Sequence, residues 1–565
     1  MNHLTQSSVS EISTPLRLAA LISFLLRIPV SVWVVAILAG VLHLAPIWRA
    51  QSQTPPGWTF TGNVNGSPDY MQYRVWMRQS RDSGILIANK FTNEPNKPHL
   101  LNIFYYTIGK VSHWTDKPPE FIYAYFGSVL APILVVFLFT LIRHFLRSQS
   151  QVWWIFLVIL IGGGLGAHLK ILSGFEFLSS SPILQRIIFE PLRAWPVFED
   201  YRGNYLFNTL FDTHYLLIWT ILIVSILSLY FTLREFTLRR LGLTAVLYAA
   251  TTIIHIYEGP TLIMITLAVA FVCWRKGLKT RPAFITLIAC SLAVMVSFVW
   301  HVVLYKSSGL PLPSWRGLNI LFSTLLMAYP LAWVLIAWGI GDYWQKAGFN
   351  ECFLLGWALG CISITLSGPF YLYPARGIMT LQIPLYIIAG AIYFSHHTRV
   401  TLVAATIVIL SLGATPTWVI VKSWQSTIFN SGVPYMFMST LHQEIVDLLR
   451  HRASQDDVIL VDKSAPPWET DDLWLAPEYP GKFYCSHFFL TVDYDRKRAE
   501  VVSFFKSNNP QEQAAFLGKR KIRFLYVEAK QNPHRFTHVP NLILLKSAPF
   551  GSLFEYTNEV RDARS

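Results

Sequence analysis

Apolar stretches near residues 29–48, 120–142, 152–168, 214–233, 241–255, 259–274, 282–304, 317–340, 351–367, 378–395 and 400–420 constrain this chain more than any other feature. Hydrocarbon offers the backbone no water, so an apolar stretch of about 20 residues crosses a bilayer as a helix. A membrane all-α protein with about eleven transmembrane helices is expected. Charged residues make up only 14% of the 565, against about a quarter in soluble domains. A formal charge of +14 invites a nucleic-acid reading. The cations, however, sit in short loops between apolar stretches, where they report topology. Nucleic acid is therefore not an expected partner. The five cysteines, Cys273, Cys290, Cys352, Cys361 and Cys485, show no CxxC or Cys/His spacing. Neither a disulfide framework nor a metal site is expected.

Alternate loops carry Arg143 and Arg147, then Arg234, Arg239 and Arg240, then Arg275, Lys276, Lys279 and Arg281, then Lys346 and Arg399. The intervening loops hold little more than Lys306, Arg316 and Arg376. The positive-inside rule places the first set, and with it the N-terminus, in the cytoplasm. Arg27 interrupts the early apolar stretch and no small-residue cleavage site follows Trp48, so the first span is expected to stay as an anchor. An odd number of spans then puts the C-terminal region outside. Two long outer loops, 49–119 and about 169–213, are rich in apolar residues, Trp and Pro. They are expected to form interfacial helices. From about residue 425 the composition turns soluble. Helical spacing at Met438–Ala453 and after Asp493 and Pro510 alternates with strand-like DVILVD, IRFLYVEA, LILLKS and GSLFEYT. The expected organisation is a multi-span membrane domain over 1–424 and a small extracytoplasmic α/β domain over 425–565.

The first outer loop contains SPDYMQYRVWMRQSRDSGIL, Ser67 to Leu86. A helix starting near Pro68 puts Arg74, Arg78 and Arg81 on one face and Tyr70, Tyr73 and Met77 on its neighbour. Guanidinium groups hold phosphate through paired, charge-assisted hydrogen bonds. The same arginines equally suit bulk anionic lipid or solvent. Asp69 is a candidate general base. It also suits a helix start, with Ser67 as cap, Pro68 in the first turn and a carboxylate facing the dipole. Local sequence favours the helical account. His99, in the Pro–His pair before an apolar helix, either binds substrate or is structural. In HIYEGP, His255, Tyr257 and Glu258 stand at an outer turn, with Glu258 either a second acid or a helix start. In YLYPARG, Arg376 is a cation where cations are scarce, fit for a leaving phosphate or for snorkelling. Asp212 and His214 are weaker candidates before the fourth span.

These features resemble the GT-C superfamily of integral membrane glycosyltransferases, which includes protein O-mannosyltransferases and aminoarabinose transferases. Asp69-Tyr70 stands where members carry an acidic motif early in the first outer loop. Lys97-Pro98-His99-Leu100 is similar to their K-P-P-L-like segment, and His255-Ile256-Tyr257-Glu258 to an HPY-like turn. Tyr484 to His487 and the I-R-F-L-Y-V strand look like parts of such proteins' outer domain. The chain departs from the pattern in having Tyr70 in place of a second acid and His99 in place of a second Pro.

The resemblance implies transfer of a sugar from a polyprenyl-phosphate donor to a lipid, glycan or protein acceptor at the outer face of a membrane. A bacterial plasma membrane is expected, with a role in the cell envelope. It makes Asp69 the base. By position rather than by motif, it leaves Arg376, then Arg74 and Arg78, for the donor phosphate, and Tyr70, His99, His255, Tyr257 and Glu258 for substrate. No cofactor is expected; a monophosphate donor carries no pyrophosphate that demands a metal, and a divalent cation stays open. One alternative is a flippase or transporter, although transporters place ionisable groups at the midplane and these spans are almost bare of charge there. Another is a non-catalytic envelope polysaccharide assembly protein. A polymerase using pyrophosphate donors would want more cations in the outer loops than Arg186, Arg193 and Arg202.

Overall fold

The computed structural model describes residues 27–62, 68–146, 148–161, 181–184, 212–311, 325–326, 328–367, 375–396, 436–465 and 470–557. The expected span at 400–420, nearly all of the second outer loop, and Arg147, Arg316 and Arg399 lie outside the described residues.

Helix α1 (Val30–Ser52) leads into a short strand β1 (Trp58–Phe60) and the first outer loop. That loop holds α2 (Pro68–Asp82), a two-stranded ribbon of β2 (Leu86–Ile87) and β3 (Leu100–Leu101), and α3 (Ile103–Thr115). The apolar helices that follow are α4 (Pro119–Phe145), α5 (Gln149–Ile161), α6 (Thr213–Arg234), α7 (Leu238–Ile254), α8 (Glu258–Arg275), α9 (Arg281–Ser307), α10 (Pro330–Gln345), α11 (Phe349–Leu366) and α12 (Ala375–His396). Proline opens α4, α9 and α10, where its missing N–H costs no helical bond. Six helices, α1, α4, α6, α8, α9 and α11, are long and apolar enough to cross a bilayer. The others coincide with expected spans; α5, α7 and α10 have fewer than 18 described residues, and part of the first turn of α12 is outside the described side chains. The described residues thus establish six such helices, and the expected count of eleven is not confirmed.

Without a hydrophobic drive between helices in lipid, small residues let backbones approach. Gly356 and Gly360 of α11 do this against α8. A Cβ added there would stand 2.4 Å from the Val269 Cα and 2.6 Å from the Ile265 Cα. By contrast α9 turns Ile288, Leu292, Met295, Val296, Val299 and Val303 outward, a face for lipid.

The helices bring unlike chemistry to the two ends of the bundle. At one end Tyr230 of α6 donates to Asn350 of α11 at 2.9 Å, and Lys276 caps the Gln345 carbonyl of α10 at 3.0 Å. Arg143, Arg234, Arg240 and Lys346 stand at helix termini of this end. The opposite end carries the starts of α4, α6 and α8, the end of α7, and α2 with α3.

The C-terminal region is built on β4 (Phe437–Ser439), α13 (Thr440–Arg452), β5 (Val458–Val461), α14 (Asp472–Leu475), β6 (Lys482–Phe483), α15 (Tyr494–Lys506), α16 (Pro510–Lys519), β7 (Ile522–Glu528), β8 (Leu542–Ala548) and β9 (Gly551–Tyr556). Its sheet runs β6-β5-β7-β9-β8, parallel across the first three strands and antiparallel beyond. Strand alternation sends Val458, Leu460, Leu525 and Val527 to one face, covered by Val501, Phe504 and Leu517 of α15 and α16. It sends Ile459, Val461, Phe524 and Tyr526 to the other, where Met71 and Val75 of α2 complete the core. Strand β4 also pairs antiparallel with β1, Thr59 opposite Met438. The first outer loop therefore packs as part of the α/β unit rather than of the membrane bundle alone.

Candidate functional site

Helix α2 presents three faces. Tyr70, Tyr73 and Met77 pack with Phe104, Tyr105 and Ile108 of α3 and Tyr123 of α4. Met71 and Val75 enter the sheet core. Arg74 and Arg78 lie between two carboxylates. Asp69 sits in the first turn of α2, its side chain 51% exposed.

Beside it, Asp212 caps α6, accepting from the His214 amide at 2.9 Å and from the Tyr123 hydroxyl at 3.0 Å. Burial, reinforced by the charge of Asp69, pushes the Asp212 carboxyl up to about 6. The His214 ring lies 4.7 Å from that of Tyr73, and its Nδ1 is 2.9 Å from the Tyr105 hydroxyl. The His255 ring follows at 5.3 Å, with Nδ1 3.2 Å from Glu258 Oε1 and the Tyr257 ring 5.2 Å away. Asn102 caps α3 and donates to the Ile254 carbonyl at 3.4 Å, holding the outer loop to the end of α7. A continuous polar and aromatic seam thus runs from Asp69 through His214 and His255 to Glu258.

The C-terminal domain adds a residue to this seam. His487 Nε2 is 3.4 Å from Asp69 Oδ1, with the His487 side chain only 1% exposed. Tyr484 to His487 stood out in the sequence, but nothing local marked His487 itself as part of a site.

Arg74, expected at the donor phosphate, is placed between two glutamates. Its Nε is 3.0 Å from Glu120 Oε1, its Nη2 3.7 Å from Glu478 Oε1, and the residue is fully buried. Arg78 bonds the same Glu120 oxygen at 2.9 Å and also Glu478, which draws Arg450 of α13 to 2.5 Å. The glutamates hold the Arg78 guanidinium charged well beyond its usual range. Arg78 keeps 27% of its side chain exposed and faces a hollow of about 1090 Å3 with Arg81, Lys90, Arg450 and Lys482. Asp69, His255, Tyr257 and Glu258 do not line that hollow. Tyr70 is buried and donates to the Gly62 carbonyl at 2.8 Å, a bond that fixes the start of α2.

His99 is drawn elsewhere. Its Nδ1 lies 2.8 Å from the Lys97 carbonyl, and its ring meets Tyr305 of α9 edge-on at 5.3 Å. Burial lowers its affinity for a proton, so a neutral packing role accounts for its surroundings. The Arg376 side chain lies outside the described residues. Its helix is placed, because Gly377 packs on the Cys361 carbonyl and Thr365 of α11, which brings the first turn of α12 to the Glu258 end. Among the described residues no three His, Cys, Asp or Glu side chains gather as a metal cluster.

No family model matches the sequence, and no curated protein matches it as a relative. Solved structures are similar to it. A variant of arabinofuranosyltransferase AftD from Mycobacteria matches at TM-score 0.52 and 12% identity over 92% of this chain and 41% of that one. This chain thus spans less than half of AftD. The Archaeoglobus fulgidus oligosaccharyltransferase matches at 0.49 and 11% over 89% and 68%. ArnT from Cupriavidus metallidurans, solved bound to undecaprenyl phosphate, matches at 0.47 and 8% over 94% and 98%. The AftD likeness shows a shared fold, and the apolar helices mark an integral membrane protein.

Proposed function

We propose that the protein transfers a sugar from a polyprenyl-phosphate donor to an acceptor hydroxyl at the outer face of the membrane, with Asp69 as general base. The acceptor oxygen attacks the anomeric carbon and its proton passes to Asp69. The bond from that carbon to the phosphate oxygen breaks, and polyprenyl phosphate leaves. The observation that carries this reading is the placement of Asp69: a half-exposed carboxylate at one end of a seam of histidines, tyrosines and acids, at the bundle end away from the cationic helix termini. A base must meet its substrate, and of the two neighbouring acids Asp69 is the open one.

In this scheme the His255–Glu258 turn receives the sugar, and Arg376, in the first turn of α12, is the candidate partner of the departing phosphate. The acceptor is a lipid, glycan or protein hydroxyl. The N-terminus lies in the cytoplasm of a bacterial cell and the α/β domain outside its plasma membrane. The near absence of charge from the span interiors supports transfer over ion-coupled transport.

The test is a panel of radiolabelled polyprenyl-phosphate sugars offered to the protein in liposomes. Wild type transfers or hydrolyses one of them, and Asp69→Asn loses at least about 100-fold in rate, the usual worth of a general base. Full activity in Asp69→Asn removes this residue from the mechanism. Lipid movement without sugar release in wild type favours a flippase.

A further inference from the structure

The first outer loop and the C-terminal domain are joined around His487 by main-chain and side-chain bonds. The Phe483 amide donates to the Lys90 carbonyl at 2.8 Å, and Thr92 forms a β-bridge with Cys485. Asn89 donates to the Leu490 carbonyl at 2.8 Å, and the Thr491 hydroxyl to the Phe91 carbonyl at 2.7 Å. Buried Lys497 is 2.6 Å from Glu94. Within this clamp the His487 ring stacks on Phe488 at 4.9 Å and meets Phe91 at 5.6 Å. Its orientation is fixed from several sides.

Its tautomer follows from one bond. The Phe489 amide donates to His487 Nδ1 at 3.2 Å, so the neutral ring carries its proton on Nε2. Nε2 makes no hydrogen bond to any described residue and stands 3.4 Å from Asp69 Oδ1. A ring held by aromatics and by a main-chain donor thus places its Nε2–H beside the carboxylate, from the opposite domain.

We propose that His487 is a positioning residue for Asp69: its Nε2–H, brought up by the docked C-terminal domain, helps set the plane of the carboxylate. This rests on the transferase reading above and deepens it. A misplacement of about 1 Å in a reacting group costs up to about 100-fold in rate.

Two measurements test this on the full-length protein. The first compares wild type, His487→Gln and His487→Phe in liposomes with radiolabelled polyprenyl-phosphate mannose, arabinofuranose and aminoarabinose. His487→Phe should lose up to about 100-fold in kcat with the donor KM unchanged and the melting temperature kept. His487→Gln, which can still present an N–H there, should recover most of the rate. Equal rates in all three, or equal losses in both variants accompanied by a lower melting temperature, overturn the inference. The second needs no substrate. In NMR of isotope-labelled histidine, the His487 Nε2 signal, identified by its absence from His487→Gln, should shift in Asp69→Asn. An unmoved signal overturns the inference. A wild type inert to every donor refutes the transferase reading instead, and leaves the contact to be decided by the NMR comparison.

Discussion

Asp69 and Asp212 both stand at helix starts, yet their surroundings give them different chemistry. Asp69 keeps half its side chain in solvent, while Asp212 is enclosed by Tyr123 and the start of α6. Burial raises the folded-state value of Asp212 from 3.8 to about 6, so between those values the folded protein binds more protons than the unfolded chain. This group's contribution therefore favours the fold at low pH and is lost as pH rises through about 6. Asp212→Asn should flatten the dependence of melting temperature on pH between 4 and 7 and raise the melting temperature at pH 7. A melting profile unchanged from wild type would contradict the burial argument. Locally Asp69 reads as a helix-start acid, and it is the family resemblance that makes it the candidate base. The fate of the arginines was not readable, since Glu478, which pairs with Arg78, lies 400 residues along the chain. Glu120 is a similar case: locally it reads as an ordinary helix-start acid, and only the fold shows that it anchors two guanidiniums.

Among elements, α2 carries most of the architecture. Periodicity placed its tyrosines and its arginines on separate faces, and the structure agrees. What the pattern did not disclose is that Met71 and Val75 fill a strand layer formed by residues beyond 457, because a helix's partner is not written in its own period. The ion network across this junction is buried, and opening one side strands the rest. Glu478→Ala should cost about 3–5 kcal/mol and expose the segment around α13 to protease, read by calorimetry in detergent and by limited proteolysis. A loss below about 1 kcal/mol, as for a surface pair, would mean the network is solvated. In the bundle, Gly360→Leu should separate α8 from α11, since its Cβ would meet the Ile265 Cα. Overpacking of this kind costs about 1–3 kcal/mol, read as a fall in melting temperature, and wild-type stability in Gly360→Leu would contradict the close approach.

For the whole molecule, hydropathy gave the membrane class and most helix positions, because lipid leaves the backbone one solution. The described residues hold six helices long and apolar enough to span, while α5 and α12 contribute fully buried Phe156, Ile159 and Ile387 to the bundle core. Composition suggested a division near residue 425, but the return of the first outer loop onto the sheet was not legible in it. The sidedness proposed from the cation distribution has a direct test: a cysteine at exposed Asp116 should label from outside sealed cells and one at exposed Glu235 only after permeabilisation. The reverse pattern would put Asp69 in the cytosol. The account's central claim is that a lipid-linked donor meets Asp69 at the end of the bundle covered by the α/β domain. A density map of the protein with polyprenyl-phosphate sugar bound to Asp69→Asn tests it most directly. The account predicts the sugar between residue 69 and the His255–Glu258 turn, with its lipid leaving sideways; density at the cationic end, or only in the hollow beside Arg81 and Lys482, would contradict it.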